Sequence, residues 1–184
     1  RWGFVNMPEA PDGFVRRYPL LIGSGNKTYL PLGLEALRRY LDPKGDVPYQ
    51  NRPKEFVLGR FHIPKYIYSS MLINYAGPAG TFPTYSFWTV LDDEEFQIPE
   101  TETSFDLDAF NELLAAGVFR DKIVFVGATL EELHDLFPTP FYEVRGRKRA
   151  MPGVEIHANA VRTILEGDFL HHLTPVSYTH LTLP

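Results

Sequence analysis

Apolar and polar positions along the chain change period several times, and each change marks an element. In "GFVNMPEAPDGFVRRYPLLI" (residues 3–22) a strand-like alternation follows Asp12-Gly13. Phe14, Arg16, Tyr18 and Leu20 fall on one face, Val15, Arg17 and Leu21 on the other. Asp-Gly is a turn pair, because Gly accepts positive φ and Asp closes a local hydrogen bond, so the stretch predicts a β-hairpin. Pro19 has no N–H to donate, which sends its strand to a sheet edge or a bulge. "GSGNK" (residues 23–27) predicts a second turn. From Leu32 to Leu41 the period becomes helical, with Leu34, Leu37 and Leu41 on one stripe. "DPKGDVPYQNRPK" (residues 42–54) is rich in Pro and Gly and predicts a loop. "FVLGRFHIP" and "MLINYAG" predict two more strands, the second broken by Gly77-Pro78.

A second helix is expected from Leu107 to Ala116, capped by Asp106, with Leu107, Phe110 and Leu114 inward and Gly117 at its end. "KIVFVGA" (residues 122–128) then runs without alternation and is rich in β-branched and aromatic residues. That composition predicts a buried parallel strand covered on both faces. The last element is a helix from about Pro152 to Glu166, ended by Gly167, with Pro in the first turn, where its missing N–H costs nothing. Its inward stripe reads Val154, His157, Ala158, Val161, Leu165. The order predicts an α/β fold: a mixed sheet with a buried parallel strand and flanking helices. No internal repeat is visible, and the closing strand-loop-helix resembles half of a doubly wound unit.

Composition narrows the chemistry. The 184 residues suffice for one domain, and 44% are apolar, as in globular chains. Lys and Arg number 18 against 23 Asp and Glu, so the net charge is -5 and overall attraction to nucleic acid is not expected. The absence of cysteine removes disulfides, thiolate catalysis and Cys-ligated zinc. No basic-then-apolar leader is present, and no apolar run approaches the ~20 residues of a membrane helix. The acidic stretch from Asp92 to Asp108 lacks the alternating carboxylates and mid-loop Gly of a calcium loop, so a solvated surface insertion is favoured.

The stretch "DKIVFVGATLEELHDLFPTPF" (residues 121–141) is the best placed for a site, since ligands gather beyond the carboxyl ends of parallel strands. Thr129 and Glu132 have the spacing of a capping box for a short helix, stopped by Pro138 and Pro140. His134 and Asp135 are adjacent and would point about a hundred degrees apart on that helix, so they need an outside partner such as His157. A buried His157 more often donates to a carbonyl or carboxylate than it does chemistry. No G-x-S-x-G, H-E-x-x-H, G-x-G-x-x-G or phosphate-loop motif occurs. "VRGRKRA" carries Arg145, Arg147, Lys148 and Arg149 and could meet anionic head groups, but reads first as a solvated loop.

Four stretches in order carry a family resemblance: residues 3–21, "LINYAGPAGTFPTYSFWTVL", residues 121–141 and "MPGVEIHANAVRTILEGDFL". The run N-Y-x-G-P, K-I-V-x-V-G-A-T, D-x-x-x-T-P, P-G-V-E-I-H-A-N resembles the type-two CHASE domain, the cyclase- and histidine-kinase-associated sensory extracellular module of bacteria. The resemblance implies an extracytoplasmic, periplasmic sensor domain with no activity of its own and no cofactor. It implies a membrane receptor whose transmembrane helices lie outside this chain, a homodimeric parent, an unknown small-molecule or protein ligand, and a cytoplasmic nucleotide cyclase, histidine kinase or Ser/Thr kinase. It also implies that the chain is the C-terminal half of a larger three-layer domain ending near Thr174. The tail "PVSYTHLTLP" (residues 175–184) resembles an in-frame translation of a sequencing-library adapter. The residues expected near a ligand are Asn74, Tyr75, Gly77, Gly127, Thr129, Asp135, Thr139, His157 and Asn159, whose glycines admit close backbone approach and whose side chains can orient a polar ligand. Two alternatives stay open: a metal-assisted hydrolase using His134, Asp135 and His157, and a structural dimerisation domain.

Overall fold

The computed structural model describes residues 3–91 and 109–171. Helices and short strands alternate, and the strands pair locally. Strand β1 (Arg17–Pro19) is followed by the β2 (Ile22–Ser24) and β3 (Lys27–Tyr29) hairpin and then helix α1 (Leu32–Leu41). A three-stranded antiparallel sheet comes next, ordered β4 (Tyr49–Asn51), β5 (Glu55–Leu58), β6 (Phe61–Pro64). Strand β7 (Ser70–Leu72) returns to pair antiparallel with β1, Tyr18 opposite Met71. Helices α2 (Phe87–Leu91) and α3 (Ala109–Ala115) pack on each other. A 3-10 turn (Glu131–Leu133) leads into β8 (Leu136–Phe137), a small hairpin of β9 (Glu143–Val144) and β10 (Arg147–Lys148), and β11 (Met151–Pro152), which pairs with β8. Helix α4 (Gly153–Glu166) closes the order and packs against α1 and β6. No helix among the described residues is long and apolar enough to cross a membrane.

The fold is mixed α/β, as the sequence pattern predicts. Its core is one cluster: Val15, Tyr18, Leu20, Leu34, Leu37, Phe56, Leu58, Ile63, Met71, Met151, Ile156 and Ile164 are all essentially inaccessible. Removing such side chains from water is the main favourable term in folding. Helix α1 has the predicted bounds, and α4 ends at Gly167 with φ 68. At Gly33 the helices meet a tyrosine: a Cβ there would sit 2.6 Å from the Tyr18 hydroxyl and 3.0 Å from Val161.

Several expectations give way. The Asp12-Gly13 turn forms, with Asp12 accepting from the Phe14 N–H at 3.2 Å and from Arg16 at 2.8 Å. Across it the Ala10 N–H donates to the Phe14 carbonyl at 2.9 Å, but no strand ladder follows; Phe4 makes a parallel bridge to Pro31, and β1 takes β7 as its partner. "FVLGRFHIP" is two strands, folded back at Gly59 with φ 55, and its partner β4 comes from the stretch read as loop. Leu114 points outward, 58% exposed. In α4 the buried face runs through Ile156, His157, Ala160, Val161 and Ile164, and Leu165 is 41% exposed. The helix is covered on two sides, so its buried face is wider than a single stripe, and it includes polar Asn159 and Thr163.

The segment 122–128 is not a buried parallel strand. It makes no ladder among the described residues, and Val124 and Val126 are 52% and 68% exposed, while Ile123 and Phe125 are half-buried. A run of uniform β-branched residues normally signals cover on both faces; here only the inward side is covered. The acidic stretch 92–108, including the Asp106 cap, and the tail 175–184 lie outside the described residues.

Candidate functional site

Helix α4 organises the candidate residues, because its polar side chains bond outward to two segments. On one side lies the chain after β7. Asn74 donates its N–H to Thr163 Oγ1 at 3.1 Å, and its Nδ2 reaches the Asp168 carboxylate at 2.8 Å. The Tyr75 hydroxyl donates to the Val15 carbonyl at 2.9 Å, and burial raises its pKa. The Ala76 N–H donates to Asn159 Oδ1 at 2.9 Å, and Asn159 Nδ2 donates to the Glu155 carbonyl one turn back at 2.9 Å. Asn159 is fully buried, so these bonds repay its desolvation.

The turn beyond Gly77 forms a small anion-binding cradle, and the chain fills it itself. Gly80 N–H lies 2.9 Å from both Glu155 carboxylate oxygens, and Thr81 N–H lies 3.1 Å from one of them. Successive backbone N–H groups in a turn make a concavity for negative charge. Arg149 braces the same turn by donating to the Ala79 carbonyl at 3.1 Å.

On the other side of α4 stands His157, 3% exposed. Its Nδ1 lies 2.6 Å from the Tyr18 hydroxyl, which also accepts the Gly33 N–H at 2.9 Å. Burial keeps the phenol protonated by raising its pKa, so its one proton needs an acceptor. Burial also lowers the His157 pKa to about 4, so the ring is neutral near pH 7. Together these assign Nδ1 as acceptor and place the ring proton on Nε2. Phe125 stacks on the imidazole at 6.1 Å, 20° from parallel. The three-element link joins β1, the start of α1 and α4.

Gly127 is pressed on the first turn of α4, where a Cβ would lie 2.7 Å from that of Val154. Asp135 sits beside it, its carbonyl accepting the Gly153 N–H at 2.9 Å. Burial raises the Asp135 carboxyl pKa. Thr139 is buried, 1% exposed, and its carbonyl accepts the Tyr142 N–H at 2.8 Å.

Of the sequence-predicted residues, the structure thus gathers Asn74, Tyr75, Gly77 and Asn159 on one flank of α4, and Gly127, Asp135 and His157 about its first turns. Thr129 lies exposed and caps nothing: the 3-10 turn starts after Leu130, so the T-x-x-E box does not form. His134 is exposed and left-handed, φ 53, at the end of that turn. His134, Asp135 and His157 are not brought together, and no group of three acidic or histidine side chains among the described residues could hold a metal ion. Sequence reading missed Tyr18, Glu155 and Thr163. Tyr18 looked like one more alternating strand residue, although a Glu at α4's first turn and a Thr eight residues on were visible as polar positions in an apolar helix.

A family model described as the CHASE2 domain matches residues 1–183. No curated protein and no solved structure matches the chain.

Proposed function

The chain belongs to the CHASE2 domain family, whose members are extracellular sensory domains of signalling receptors, and we propose that it senses an unidentified ligand and transmits the result through α4. Its own role is then conformational, with chemistry left to a cytoplasmic cyclase or kinase across the membrane. The observation that carries this reading is the polar lacing of α4: Asn159, Thr163 and Glu155 tie it to residues 74–81, while His157 ties it to β1 and α1. A ligand that favours one arrangement of these ties shifts α4, and can do so only by its differential affinity for the two arrangements. Asn74, Tyr75, Gly77, Gly127, Thr129, Asp135, Thr139, His157 and Asn159 are proposed as the residues through which binding is felt. We place the natural domain at residues 1–174 and the adapter-like segment at 175–184.

The test is the output of the whole receptor carrying Asn159→Ala. Losing the tie to residue 76 is expected to move basal cyclic-nucleotide or phosphotransfer output about fivefold or more, in line with coupling energies of ~1–3 kcal/mol. Unchanged basal and stimulated output in a normally folded Asn159→Ala receptor would count against transmission by α4. We also propose a homodimeric parent, with the outward apolar row Val124, Val126, Leu130 and Leu133 as the surface met by a second copy.

A further inference from the structure

A second region, away from α4, has the make-up of a ligand site. An open cleft of about 420 Å³ lies beside β1, within the ~300–1,000 Å³ range of small-molecule pockets. Its floor is set by strand alternation. Tyr18 and Leu20 point into the core, so Arg17, Pro19 and Leu21 share the opposite face. The register adds Ser70, which is paired opposite Pro19. Met7 and Pro8, and Ile67, Tyr68 and Ser69, also line it. Tyr68 is held out at φ 53, 89% exposed, at the rim.

Charge decides what this cleft suits. Arg17 is its single ionised lining side chain, and no carboxylate lines it. Arg17 has no ion-pair or hydrogen-bond partner among the described residues, whereas its neighbour Arg16 is satisfied by Asp12 at 2.8 Å. A half-buried guanidinium beside apolar walls offers a two-pronged carboxylate contact in a setting less screened than open water. The Leu21, Ile22 and Ile67 side chains offer apolar cover next to it.

We propose that this cleft binds a small soluble organic anion with one carboxylate and a short apolar chain, the carboxylate on Arg17 and the chain along Leu21 and Ile67. Its meaning as a sensory input rests on the sensory reading above; binding itself does not. The probes are hexanoate and its uncharged counterpart 1-hexanol, titrated into the full 184-residue chain and followed by backbone amide shifts. Saturable hexanoate shifts are expected at residues 7, 17, 21 and 67–69, with 1-hexanol weaker by about tenfold or more. Arg17→Gln should weaken hexanoate by a similar factor and leave the thermal midpoint unchanged, and Arg17→Lys should restore part of it. Ile67→Ser, altering an exposed wall, should weaken both probes and serves if Arg17→Gln is unstable. Equal affinity for the two probes, shifts centred elsewhere, or no saturation by about 20 mM hexanoate would overturn the proposal. Such a failure leaves the receptor-output test on Asn159 untouched, and an unresponsive receptor leaves hexanoate binding untouched, so the two readings fail separately.

Discussion

Tyr18, Gly33 and His157 show how much one buried hydroxyl carries. Its oxygen takes the Gly33 N–H and its proton goes to His157 Nδ1. Gly33→Ala would drive a methyl within 2.6 Å of that oxygen, and Tyr18 has no room to retreat, being fully buried. The expected cost is ~1–3 kcal/mol in urea unfolding, the usual penalty for overpacking. The imidazole adds a pH dependence. Its folded pKa, about 4, lies below its ordinary value of 6.5, so the unfolded state binds the proton first. Above pH 6.5 both states are neutral and this residue contributes no slope. As pH falls from 6.5 towards 4, stability drops by up to ~3 kcal/mol, and below that the residue contributes no further loss. Urea midpoints at pH 7.5, 5.5 and 4.5 should therefore fall more steeply for the natural chain than for His157→Gln, which cannot titrate. Parallel curves for the two proteins would mean that burial does not hold the imidazole neutral.

Among the elements, α4 and the turn at residues 77–81 form the pair whose separation can be watched directly. Glu155 holds both Gly80 and Thr81 by their N–H groups. Glu155→Ala is expected to speed amide exchange at Gly80 and Thr81 about tenfold or more, with α1 amides unchanged. Exchange that rises equally in α1 would point to global destabilisation, and no change would show the cradle to be held by other contacts. Elements of this kind were legible in unequal degree. The α1 stripe, the Asp12-Gly13 turn, a turn within residues 23–27 and the Gly167 stop are set by residues close in sequence, and the structure keeps them, narrowing the second turn to Gly25 and Asn26. Partner choice was not legible, because Pro19's edge position follows from its missing N–H while β7 as its neighbour depends on residues about fifty positions away. The Lys122–Ala128 run misled for a physical reason: apolar composition records an affinity for cover, and among the described residues only its inward side receives it. Asn74 and Asn159 stood out as polar residues for a ligand, and the structure shows them bonding to Thr163 and to the Ala76 N–H, but the Glu155 cradle requires a turn seventy-five residues earlier to present two N–H groups.

At the scale of the whole molecule, Val124, Val126, Leu130 and Leu133 are apolar side chains that packing among the described residues leaves largely exposed. These side chains are 52%, 68%, 63% and 60% exposed and follow one another within ten residues. Scattered exposed apolar side chains are ordinary, but four within ten residues, beside a segment without a ladder among the described residues, are an invitation to association. The net charge of -5 opposes close approach of two copies, so association by this row should strengthen as salt screens the repulsion and the apolar contact remains. Sedimentation velocity across ~0.05–0.5 M salt measures both effects. The natural chain is expected to shift towards dimer with concentration and with salt. Val124→Lys combined with Val126→Lys should keep it monomeric at the same concentrations, with little loss of stability because neither side chain is in the core. Dimer that weakens with salt would assign association to charged contacts elsewhere, and dimer that survives both substitutions would remove this row from the interface.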